Sequence, residues 1–196
     1  MVKRKTNLEI MNTFTTKNIP DLDTCVLAAL ELFSVTKIPK MTIPYKFPLI
    51  VGSGNAIATG RIIFADKFAV FADESTFEAK LKSIKQIDGV VLLSASGSKH
   101  APIIAKVSRK YKKHVTLITN TLHSSTEKEL DLKHAYDQYV FPKNREPYTY
   151  NTSTYMGMIL GHTKENPKKI LDFIKKRVDK VKLPNFSKIK KYYIIV

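Results

Sequence analysis

The chain has a single cysteine, few acidic residues for its size, and no apolar run longer than a strand. Cys25 can form no internal disulfide, which makes a reducing cytoplasm the expected setting. Its apolar neighbours make it a packing group rather than a reactive thiol. A spanning helix needs about 20 consecutive apolar residues, so no membrane partner is expected. The start, Met1-Val2-Lys3-Arg4-Lys5-Thr6, is basic, but no apolar segment or cleavage site follows to make a signal peptide. With 33 lysines and arginines against 17 acids, the net charge is +16. Such a charge attracts phosphates, nucleic acid or anionic membranes. The lysines are scattered, however, in pairs such as Lys112-Lys113, Lys168-Lys169 and Lys175-Lys176. No RNA-recognition aromatic motif, zinc knuckle or arginine-rich arm accompanies them, so a solvated surface is expected and nucleic acid is not.

What is present suits one α/β domain with appendages, since 196 residues can bury a substantial core. Residues 1–44 read as a polar arm followed by a packed helix. Asp21 and Asp23 offer caps to it, and Cys25 to Phe33 is apolar almost all round. Pro39, Pro44 and Pro48 then mark an extended connector. From there β and α patterns alternate. Strands are expected at 47–51, 69–72, 89–93, 115–119 and 136–141, with helices between them. One of these helices starts at a capping box, Ser75-Thr76-Phe77-Glu78. The strands are continuously apolar rather than alternating, which belongs to a parallel sheet covered on both faces. Thr152-Ser153-Thr154 caps a further apolar helix, and Asn166-Pro167 opens a last amphipathic one, closing a domain at 45–183. Lys190 to Val196 read as a strand. Either it is an edge strand of the same sheet, or residues 184–196 begin a second copy of the domain.

Two loops fall at strand ends. Gly52-Ser53-Gly54-Asn55 follows the first strand, and Ser94-Ala95-Ser96-Gly97-Ser98-Lys99 follows the third, ahead of a helix with Pro102 in its first turn. The first lacks the third glycine of a dinucleotide fingerprint, and neither carries the Gly-Lys-Ser/Thr of a P-loop. The second joins serine hydroxyls to a helix N-terminus, whose unpaired amides and positive dipole end favour an anion. In parallel sheets ligands bind beyond the carboxyl ends of strands, where both loops lie.

These residues, over approximately 45–165, resemble a sugar isomerase (SIS) domain. Gly52-Ser53-Gly54-Asn55-Ala56 is similar to the family's Gly-x-Gly-x-Ser turn, with Ala56 where serine is usual. Ser94 to Lys99 is similar to the Ser-x-Ser-Gly-x-Thr phosphate loop, with Lys99 in place of threonine. In type the chain looks nearest to phosphoglucose/phosphomannose isomerase or the isomerase half of glucosamine-6-phosphate synthase. The resemblance implies a flavodoxin-like three-layer α/β/α sandwich with a five-stranded parallel sheet, assembled as a homodimer. It implies that Ser94, Ser96, Gly97 and Ser98 bind a sugar phosphate. Lys99 either adds a cationic contact to the phosphate or faces water. Gly52 and Gly54 shape the first turn, and Ser53 and Asn55 reach sugar hydroxyls. Arg145 is the match for an arginine that stabilises an enediolate. Glu146 is either a base or the ion-pair neighbour of Arg145, and His162 is its candidate partner unless it only stabilises a helix end. The implied activity is an aldose–ketose isomerase, with a phosphosugar-binding regulator as the alternative. No cofactor or metal is expected.

Overall fold

In the computed structural model of the chain, residues 5–130, 136–147 and 150–182 are described. Five strands pair in one parallel sheet: β1 (Pro48–Val51), β2 (Val70–Ala72), β3 (Gly89–Leu93), β4 (Val115–Thr119) and β5 (Tyr136–Val140). Their order is β2-β1-β3-β4-β5. The chain runs outward from β1 to β2, then crosses back to β3 on the other side of β1, so the sheet's switch point lies between β1 and β3. Every residue of β1, β3 and β4 is buried, as the continuous apolar pattern predicts.

Side chains alternate between the two faces. Leu49, Val51, Val90, Leu92, Val115 and Leu117 join a core covered by α4 (Phe77–Ser83), α5 (Ala101–Lys110) and α6 (Ser125–Leu130). Ile50, Val91, Leu93 and Ile118 join another, beneath α3 (Asn55–Ile63) and α7 (Thr152–Thr163). Each fully buried aliphatic side chain contributes about 1.5–3 kcal/mol of transfer free energy, so this double burial holds the sheet. The result is the three-layer α/β/α sandwich. Three more helices cover α7 from outside: α1 (Asn7–Thr13), α2 (Leu22–Val35) and α8 (Pro167–Lys176). In α2, Cys25 and Ala28 face Met11, whereas Ala29 and Phe33 face Leu160, which accounts for a helix apolar nearly all round.

Several capping expectations are corrected. Ser75 and Glu78 form no capping box. Instead the Asp73 carboxylate accepts from the amides and hydroxyls of both Ser75 and Thr76, at 2.7–3.0 Å. These hydrogen bonds hold its pKa down at about 2. Asp21 takes the N-cap position of α2 without a side-chain bond. The early arm is not loose, because Thr6 and Glu9 make a reciprocal capping box that starts α1. Among the described residues, no helix is long and apolar enough to cross a membrane. The expected strand at 190–196 lies outside the described residues.

Candidate phosphosugar site

A cavity of about 600 Å³ opens above the carboxyl ends of β1 and β3. Its wall includes Gly52 and Ser53 after β1, Ser94, Ser96, Ser98 and Lys99 after β3, and Arg145 and Glu146 beyond β5. The topology therefore brings the two loops and the segment after β5 together around one space. Its volume falls in the ordinary range for a small-molecule site.

The Ser94–Lys99 loop is held from behind. The Ala95 carbonyl accepts from the Asn120 amide (3.0 Å) and from the hydroxyls of Thr119 and Thr121 (3.1 Å each). The Gly97 carbonyl accepts from the Thr126 amide (3.0 Å), Thr126 Oγ1 (2.8 Å) and Ser125 Oγ (3.0 Å). In a trans peptide the C=O and the following N–H point in opposite directions. Anchoring these two carbonyls on β4 and α6 therefore turns the Ser96 and Ser98 amides to the opposite side. Among the described residues, no backbone carbonyl accepts from the amides of Ser96, Ser98 or Lys99. Ser96 Oγ and Ser98 Oγ stand 2.6 Å apart, so the hydroxyls are already gathered. The loop leads through His100, at the N-cap of α5, with Pro102 in the first turn. Amides, hydroxyls and the positive end of a ten-residue helix thus converge on the cavity.

The backbone pays for this shape at two residues. Gly97 has φ +57, and a Cβ there would fall 2.4 Å from Ser124 Oγ, so no side chain fits. Lys99 has φ 58 with a side chain present, a left-handed conformation that costs on the order of 1 kcal/mol or more. Its exposed side chain lines the cavity, and among the described residues no carboxylate pairs with it.

The candidate catalytic residues are placed differently from the sequence expectation. Arg145 lies over the Phe14 ring, 4.2 Å from its centroid, and its Nη1 donates to the Asn12 carbonyl at 3.4 Å. Among the described residues, no ion pair joins it to Glu146. The Glu146 carboxylate caps α7 from outside, accepting from the amides and hydroxyls of Ser153 and Thr154 at 3.0–3.3 Å. The serine and threonine hydroxyls expected to cap this helix are therefore donors to Glu146, and Asn151 takes the N-cap position in a left-handed conformation. His162 sits in the last turn of α7 and is not part of the cavity wall. Asn55 faces an adjoining apolar groove with Ile62, Met156 and Ile159. Gly54 makes the turn into α3 at φ +55 without touching the cavity.

Glu74, Lys143 and Asn144 line the cavity and escaped the sequence reading. All three stand a few residues past the carboxyl ends of β2 and β5, so the strand-end rule would have found them had it been applied to every strand.

Neither the protein-family models nor the curated proteins contain a match to this sequence. Solved structures do resemble the chain. The Escherichia coli CFT073 protein c3406, solved in complex with a sugar phosphate, is 15% identical with a TM-score of 0.54 over 81% of this chain and 90% of that one. The Vibrio vulnificus NanR protein, complexed with ManNAc-6P, is 19% identical with a TM-score of 0.49 over 68% of this chain. This chain spans about half of NanR, covering 52% of it. The likeness to c3406 is one of fold, the α/β/α sandwich of SIS-type proteins, built here on the β2-β1-β3-β4-β5 sheet.

Proposed function

We propose that the chain binds a sugar phosphate in this cavity, with the phosphate on the Ser94–Lys99 loop. It serves as part of a phosphosugar isomerase whose proton-transfer groups come from another domain or subunit. One observation carries the binding reading. The Ala95 and Gly97 carbonyls are anchored away from the cavity, which leaves the Ser96 and Ser98 amides and hydroxyls on its wall at the start of α5. The solved neighbour c3406 is in complex with a sugar phosphate, which accords with it. The use of Glu146 as a helix cap argues against that residue as the base, and favours as a second reading a binding module without chemistry. Assaying aldose–ketose interconversion with and without candidate partner chains separates the two.

The test is a thermal-shift screen of pentose, hexose and amino-sugar phosphates, with inorganic phosphate as control. A ligand at a hundred times its Kd should stabilise by about 2.7 kcal/mol, raising the midpoint by roughly 5–10 °C. A Ser94→Ala/Ser96→Ala double variant should lose most of that rise. No shift with any phosphosugar, or an undiminished shift in the double variant, sinks the proposal.

The homodimer belongs to the same proposal. The apolar groove beside the cavity, of about 500 Å³, leaves Ile62 of α3 57% exposed next to Met156 and Ile159 of α7. Light scattering should return twice the chain mass, and an Ile62→Lys variant should return the chain mass itself. A monomeric wild-type chain at micromolar concentration counts against it.

A further inference from the structure

Two cavity residues are left over from the phosphate reading. Glu74 lies two residues past β2, and Asn144 lies in the segment after β5. Each holds a fully buried side-chain oxygen with no donor among the described residues, Oε2 of Glu74 and Oδ1 of Asn144. Asn144 is only 8% exposed, and its amide orientation is fixed: Nδ2 donates to the Arg145 carbonyl at 3.2 Å, where a flipped amide would set two oxygens face to face. A buried acceptor without a donor is costly and is rare in folded proteins. Two of them on the wall of one cavity point to a ligand that supplies the donors.

The chemistry of that ligand follows from the sign of the groups. Acceptors are satisfied by hydroxyl or ammonium groups and are opposed to a second phosphate. Position adds to this. Glu74 follows β2, two strands from β3 in the order β2-β1-β3, roughly 10 Å at ordinary strand spacing. A phosphate held beyond β3 leaves inorganic phosphate well short of Glu74, whereas the carbon chain of a pentose or hexose phosphate can span the gap.

We infer that Glu74, with Asn144, selects the ligand by its hydroxyl groups, so that the site takes a polyhydroxylated monophosphate and rejects sugar bisphosphates. This rests on the phosphosugar reading above and deepens it. The experiment is calorimetric titration of wild-type, Glu74→Leu and Glu74→Gln proteins. The probes are ribose 5-phosphate, glucose 6-phosphate, N-acetylmannosamine 6-phosphate, fructose 1,6-bisphosphate and inorganic phosphate. In the wild type the best monophosphate should bind at least tenfold tighter than the bisphosphate. Glu74→Leu should weaken that monophosphate about tenfold or more while inorganic phosphate stays within twofold. The ligand-free melting midpoint should not fall, because the lost acceptor had no partner. Monophosphate binding unchanged in both variants removes Glu74 from recognition but leaves the phosphate loop standing. A parallel loss of inorganic phosphate affinity makes Glu74 a structural residue and overturns the inference. Binding of no phosphate at all to the wild type overturns the phosphosugar reading itself, and this inference with it.

Discussion

Glu146 shows how a residue can be correctly located by sequence and still be assigned the wrong neighbour. Its place beside Arg145 suggested an ion pair or a base, yet its two oxygens accept four hydrogen bonds at the start of α7. Local spacing could not reveal this, because the donors Ser153 and Thr154 lie seven and eight residues on, past an irregular segment. A cap of this kind, near the positive end of the helix dipole, is worth about 1–2 kcal/mol. Glu146→Gln replaces one accepting oxygen with a donor, and it should lower the stability measured in urea by roughly that amount. Unchanged stability would return Glu146 to the list of free carboxylates. Ser96, Ser98 and Gly97 were more legible, since the hydroxyl pair and the φ +57 turn belong to one short loop.

The strands were readable as elements because continuous burial needs continuous apolar sequence, and β1, β3 and β4 meet that condition. Helix starts were less so. Asp73 displaced the expected capping box because a carboxylate just past β2 reaches the same donors. The outer helices depend on a long-range contact that no periodicity displays. Glu31 of α2 accepts from the Leu8 amide (3.0 Å), from Asn7 Nδ2 (2.9 Å) and from Lys175 Nζ of α8 (3.2 Å). Burial works against its ionisation, but the Leu8, Asn7 and Lys175 bonds outweigh it, so its pKa lies below the ordinary 4.5. A depressed carboxylate pKa contributes stability that is present above the unfolded value and lost as pH falls through the folded one. Amide exchange in α1 and α8 should therefore accelerate as pH drops below about 4.5, after correction for intrinsic rates. Glu31→Gln should flatten that dependence, and an identical acid profile in the variant would rule out this anchor.

At the scale of the whole molecule, the sequence determined the alternation of strands and helices, the parallel sheet and the anion-binding character of Ser94–Lys99. These follow from local rules: side-chain periodicity, the missing partners at a helix start, and the backbone freedom of glycine. The tertiary structure decided which strand ends adjoin. The order β2-β1-β3-β4-β5 sets the loops after β1 and β3 side by side, and it brings Glu74 and Asn144, 70 positions apart in the chain, to the wall of one cavity. Fold also decided which polar groups found partners, turning Arg145 onto Phe14 and Glu146 onto α7 while leaving two buried oxygens without donors. The physical reason is one of range. A hydrogen bond is satisfied by whichever donor packing brings within about 3 Å, and a sequence specifies that donor only where it lies within a turn or two of the acceptor.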